Sequence, residues 1–266
     1  MKRWLFGLCV ALWIAVGSVV AAQDNAKVFV LVHGAFQDET GWSAVVNALE
    51  SAGHTAVTVN LAGRGDDATP LNEITLATYR DQIIGVIEEQ SGSVVLVGHS
   101  FGGINISMVA EAVPDRIETL VYLAAYLPVN GDSLVTLASE DHYSTLGQEG
   151  NFIIAEDFST GSVNADVFAS AFCPDCTPEQ AEVVAASQLS EPLAPLNEPV
   201  TLSDTASSVR SVYIMTAEDI VVSPQLQAFM LSRRPVDQVF ALNTGHAAYI
   251  SQPEALAELL IQSSMA

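Results

Sequence analysis

Several stretches of this chain are apolar at every position rather than at every second one. Val28-Phe29-Val30-Leu31-Val32 and Val94-Val95-Leu96-Val97 hold no polar side chain. A strand with one face in water alternates apolar and polar residues, so strands of this kind must be covered on both faces. Helices supply that cover, and helical spacing follows the runs. Trp42, Val45, Val46 and Leu49 mark a helix over Trp42–Ala52, with Gly53 as its stop. Tyr79, Ile83, Val86 and Ile87 mark another over Leu76–Glu89. The whole order predicts strands at Lys27–Val32, Val57–Leu61, Val94–Val97, Ile117–Leu123, Val209–Thr216 and Asp237–Leu242. Further helices fall at Phe101–Ala112, Pro224–Leu231 and Pro253–Ile261. Strand, helix, strand in this rhythm requires right-handed crossovers. The expected fold class is therefore α/β, a mostly parallel sheet of about six strands flanked by helices. With 266 residues, half of them hydrophobic, the chain can bury one such core.

The rhythm stops between Pro128 and Pro199, where Pro, Ser, Asp and Gly accumulate. Structureless loops of that length are rare in compact domains. Residues 128–198 are thus expected to form a small, mostly helical lid inserted between core segments 27–127 and 199–266. Ahead of the core, Met1-Lys2-Arg3 is basic, Trp4 to Ala22 is uncharged and apolar, and Ala21-Ala22 precede the polar Gln23-Asp24-Asn25. That is the pattern of a bacterial-type secretory signal peptide over residues 1–22, with an uncleaved transmembrane anchor as the alternative. Cleavage after Ala22 would leave a periplasmic or secreted protein with no stable membrane association.

Acidic residues number 31 against 9 basic ones, a formal net charge of −22. Such a chain is repelled by nucleic-acid phosphates and by anionic membrane surfaces. No Gly-rich phosphate loop and no His/Glu set at metal-ligand spacing appears, so neither a metal nor a cofactor is expected. Of the three cysteines, Cys9 falls in the leader. Cys173-Pro174-Asp175-Cys176 lacks the strand–helix context of a redox motif, and in an exported chain it reads as a short-loop disulfide stiffening the lid, with two free thiols as the alternative.

The chemistry concentrates at strand ends. Gly98-His99-Ser100-Phe101-Gly102 is a G-x-S-x-G motif directly after the strand Val94–Val97 and before a helix. A sharp strand-to-helix turn there exposes Ser100 as a nucleophile, and the helix N-terminus behind it favours negative charge. A serine hydroxyl needs a base, and the base needs an orienting carboxylate. Sites of this type run Ser, acid, His along the chain. After Ser100 the candidate bases are His142, a solvated lid residue by its Glu140-Asp141-His142-Tyr143 context, and His246, just past the last strand. His246 is the choice. His33, His54 and His99 precede Ser100 and read as structural. Glu218 and Asp219 both follow the strand ending at Thr216, and Asp219 is taken as the acid. Asp66, Asp67, Asp141 and Asp157 read as ordinary loop and lid charges. The backbone N–H groups of Phe101 and Ala35 are the expected oxyanion donors.

Val30-Leu31-Val32-His33-Gly34-Ala35, Gly98-His99-Ser100-Phe101-Gly102-Gly103 and Thr216-Ala217-Glu218-Asp219 resemble the α/β-hydrolase superfamily. Within it, they are similar to the branch of plant methyl esterases, hydroxynitrile lyases and bacterial pyrethroid-hydrolase-like esterases. The resemblance covers nearly all of residues 27 to 262. It implies an α/β-hydrolase fold with Ser100, Asp219 and His246 as the triad and Ala35 and Phe101 as oxyanion donors. It also implies two diagnostic positions, since the lyases of this branch carry a threonine after the first-strand histidine and a lysine after the catalytic one. Gly34 and Ala247 stand there, which favours ester hydrolysis through an acyl-enzyme. Tyr126, Leu134, Phe152, Phe158, Phe168 and Phe172 are candidates for an apolar pocket, and Gly34, Tyr126, Phe152 and Phe172 are the expected substrate contacts. The expected partner is a small-molecule ester with small apolar or aromatic groups. Lactone hydrolysis, lyase activity on the same triad, or receptor-like ligand binding with little turnover stay open, as does the oligomeric state, a homodimer included.

Overall fold

The structure, a computed structural model, describes residues 26–265. The expected leader at residues 1–22 lies outside them. The core begins with β1 (Val28–Val32), α1 (Ser43–Ser51), β2 (Thr55–Val59), α2 (Leu76–Glu88), β3 (Val94–His99), α3 (Gly102–Ala112) and β4 (Ile117–Leu123). The inserted stretch holds α4 (Leu134–Ala138), β5 (Phe152–Ile154), β6 (Thr160–Val163), α5 (Ala165–Phe172), α6 (Pro178–Ala186), β7 (Glu191–Pro192) and α7 (Leu193–Asn197). The core resumes with α8 (Asp204–Ser208), β8 (Ser211–Thr216), α9 (Pro224–Arg233), β9 (Gln238–Leu242), α10 (Ala248–Ser251) and α11 (Pro253–Ser263).

Six strands form one sheet in the order β2-β1-β3-β4-β8-β9, every neighbouring pair parallel. All six residues of β3 are buried, as its unbroken apolar run requires. Burial of each Val or Leu side chain there contributes about 1.5–3 kcal/mol. β9 closes one edge, and its half-wet alternation leaves Val239 exposed. β2 closes the other edge and begins two residues earlier than the spacing suggests, because its parallel register starts at Val28↔Thr55. Leu61 and Ala62, expected at the end of that strand and just beyond it, are buried past its last residue. From β1 the chain steps out to β2, then crosses back to β3 on the other side of β1. At this reversal the connections diverge, and a crevice opens beyond the carboxyl ends of β1 and β3.

Besides its helices, the lid contains a three-stranded antiparallel sheet, β5-β6-β7. These strands have three, four and two residues, too few for a period of two to register in the sequence. Buried carboxylates fasten lid to core. Glu191 of β7 is ion-paired with Arg64 and accepts the Phe36 N–H at 2.9 Å and the Tyr79 hydroxyl at 3.3 Å. Asp141 accepts the N–H and hydroxyl of Ser223 at 2.8 and 2.6 Å. The sequence reading of Asp141 as an ordinary lid charge is therefore corrected. A carboxylate withdrawn from water needs such donors in its place.

Candidate active site

Ser100 stands at the carboxyl end of β3, in the crevice, with its backbone in the left-handed region at φ +52°. The strain is held from β4: Ser100 N–H donates to Leu123 O at 3.1 Å, and Ser100 O accepts from Tyr126 N–H at 3.0 Å. Gly98 and Gly102 make the turn possible, since a Cβ on Gly98 would lie 2.7 Å from the Gly102 backbone. α3 starts immediately afterwards and points its N-terminus at the serine.

His246 and Asp219 are wholly buried, and Nδ1 of the imidazole lies 2.7 Å from Asp219 Oδ2. The carboxylate is fixed in turn by the Thr216 hydroxyl at 2.9 Å and the N–H groups of Val221 and Val222 at 2.8 and 2.9 Å. With Nδ1 donating to the carboxylate, Nε2 is the basic nitrogen. It is buried and accepts no hydrogen bond from any described residue, Ser100 included. Glu218 is exposed, so burial separates the two adjacent acids. His142 is exposed in the lid.

The histidines read as structural have assigned partners. His33 donates from Nδ1 to Gly34 O at 2.8 Å and accepts the Leu61 N–H on Nε2 at 3.2 Å. Burial, reinforced by Arg64, pushes its pKa down to about 4. His99 donates to the His246 carbonyl at 3.0 Å, and burial followed by the neighbouring His246 holds its imidazole well below the usual range. Both rings are neutral struts around the site. The N–H groups of Ala35 and Phe101 donate to no acceptor among the described residues.

Above Ser100 lies a cavity of about 670 Å³. Ala35, Tyr126, Leu134, Phe152, Phe158 and Phe172 are among its lining, which is mostly apolar, with polar groups from Ser139, Ser144 and Asn197 and no charged side chain. Phe168 is absent from the wall because it is buried behind it, against the Phe172 ring at 4.3 Å. Gly34 does not line the cavity. A Cβ there would sit 2.8 Å from Ser100 Cβ and 2.9 Å from His99 Nδ1, so its role is to let the serine approach. Cys173 and Cys176 are joined by a disulfide. Residues the motif reading passed over are Glu191, Arg64 and Asp175, whose partners lie far away along the chain.

The model of the alpha/beta hydrolase family matches residues 29–259. Among named relatives, a chloroplastic protein of Arabidopsis thaliana that carries the name methylesterase 13 is 31% identical over 91% of this chain. The chain spans only 57% of that relative's length. The carbendazim hydrolyzing esterase of Nocardioides sp. (strain SG-4G) is 32% identical over 87% of this chain and 97% of its own. Among solved structures, a pyrethroid hydrolase from Sphingobium faniae JZ-2 superposes with a TM-score of 0.78 at 24% identity, covering 91% of this chain and 98% of its own.

Proposed function

Because the chain belongs to the alpha/beta hydrolase family, we propose that it is a serine hydrolase of carboxylic esters, with neutral esters of apolar or aromatic groups as its substrates. The observation that carries this reading is the buried His246–Asp219 pair, whose Nε2 has no other hydrogen-bond partner among the described residues, in a protein whose strained Ser100 lines a largely apolar cavity. His246 Nε2 takes the Ser100 proton as the hydroxyl attacks the ester carbonyl, and Asp219 steadies the resulting imidazolium. Hydrogen bonds of this kind are often unmade before substrate binds and tighten in the complex. The N–H groups of Ala35 and Phe101, backed by the α3 N-terminus, receive the oxyanion; loss of one such donor costs about 10²–10³ in turnover. The alcohol leaves with the proton from His246, and water cleaves the acyl-enzyme by the reverse sequence.

The names of the relatives, esterases and hydrolases, support ester hydrolysis. So do the two positions that would serve a lyase: Gly34 has no room for a side chain, and Ala247 is buried and uncharged. A wall free of charge favours neutral substrates. Ser100→Ala is expected to abolish p-nitrophenyl acetate hydrolysis with the fold unchanged by circular dichroism; retained turnover places the nucleophile elsewhere. We also propose export through the leader at residues 1–22. Amino-terminal sequencing of protein from the periplasm or medium should begin at Gln23, and an intact Met1 there would sink that proposal.

A further inference from the structure

A catalytic imidazole must be held to within about an ångström, since a shift of that size can cost on the order of 10²-fold in rate. His246 nevertheless sits in an irregular connection between β9 and α10 rather than on a strand or helix. Much of what steadies that connection comes from the lid. On one side of His246, Ala247 N–H donates to Phe172 O at 2.7 Å. On the other, Asp175 accepts the Gly245 N–H at 3.0 Å on Oδ1 and the Thr244 hydroxyl at 2.7 Å on Oδ2. Thr244 Oγ1 also meets the Ser251 hydroxyl at 2.7 Å, tying the connection to α10. Gly245 lies so close to Pro174 that a Cβ would come within 2.3 Å of its ring. The Phe172 ring stands edge-on to the imidazole at 5.2 Å. All of these lid contacts issue from Phe172–Asp175, the end of α5 and the loop that the Cys173–Cys176 disulfide closes.

We propose that Asp175, presented by the disulfide-closed loop, is a positioning residue for His246, acting through Thr244 and Gly245 beside the direct holds of Asp219 and His99. The inference rests on His246 being the catalytic base. A disulfide between residues three apart removes little entropy from the unfolded chain, so its effect is local rather than global. Hydrogen bonds to a carboxylate are the stronger kind and hold geometry well. Partial burial opposes ionisation of Asp175, but the hydrogen bonds from Thr244 and Gly245 outweigh it and keep the carboxyl below its usual pKa, so the acceptor is ionised at neutral pH.

The test follows the rate at which a fluorophosphonate labels Ser100 in the full-length oxidised protein, with kcat and KM on p-nitrophenyl acetate beside it. Asp175→Ala is expected to slow labelling and kcat by roughly a hundredfold, with KM within a few-fold and the thermal midpoint nearly unchanged. Asp175→Asn keeps an acceptor for Gly245 N–H and a polar contact to Thr244, so it recovers most of the loss. Wild-type protein reduced with a phosphine and capped with iodoacetamide should slow in the same direction. This arm decides the matter if Asp175→Ala does not fold. Labelling of Asp175→Ala at the wild-type rate, a loss that appears in KM alone, or no rescue by Asn overturns the proposal while leaving the hydrolase reading intact. Wild-type protein that does not label at Ser100 overturns both.

Discussion

Three histidines gather around Ser100, and their partners sort them. Only His246 has a carboxylate behind it; His33 and His99 hydrogen-bond to the backbone and are neutral. Their neutrality has a consequence for stability. The folded His33 binds a proton only near pH 4, whereas an unfolded histidine does so near 6.5. Between those values the unfolded chain takes up more protons, so stability is present above 6.5 and lost as pH falls towards 4. Urea unfolding between pH 7 and 4.5 should show this decline, with a shallower pH dependence in His33→Gln; equal slopes would refute it. At this scale Ser100 was legible because its chemistry needs a local strand–turn–helix sequence. Asp219 over Glu218 rested on an expected offset from the strand, and burial is what physically separates them. The true role of Gly34 was hidden, since the atoms that crowd it belong to residues 99 and 100.

Among the elements, the lid depends on the core more than its sequence suggests. β7 is only two residues long, yet its Glu191 enters the core to meet Arg64, Tyr79 and the N–H of Phe36, whose own backbone is left-handed at φ +66°. Both partners of the ion pair are almost fully withdrawn from solvent. Removing one member of such a pair strands a charge in the interior, which costs about 3–5 kcal/mol. Glu191→Ala is therefore expected to lower the unfolding free energy by about that amount in urea denaturation. A loss under 1 kcal/mol would show that the pair contributes little. The lid was legible from the length of a stretch without strand–helix alternation, but the pairing of residues 64 and 191 joins a core loop to a lid strand with no shared periodicity.

Across the whole molecule, 31 acids share 9 basic partners, so most negative charge goes unpaired whatever the fold. Repulsion among these charges opposes compaction. Screening shortens from about 10 Å at 0.1 M salt to about 3 Å at 1 M. The thermal midpoint should therefore rise between those NaCl concentrations, and a flat or falling midpoint would count against charge repulsion as a significant term. Sheet topology acts at the same scale. The reversal between β1 and β3 brings the His33–Ala35 loop beside Ser100, while β8 and β9 deliver Asp219 and His246 from more than a hundred residues away.

The parallel sheet, the serine on its turn and the acid excess were all written in local patterns: unbroken apolar runs, glycines at fixed offsets and simple counts. Each depends on neighbours along the chain, where periodicity and sterics act directly. Contacts between remote segments were left to tertiary packing: the carboxylate behind the imidazole, the cavity wall, the Arg64–Glu191 pair and the Asp175 grip on the His246 connection. Such contacts form only after the sheet order has set which loops share an edge, and no local pattern encodes a distance across that edge.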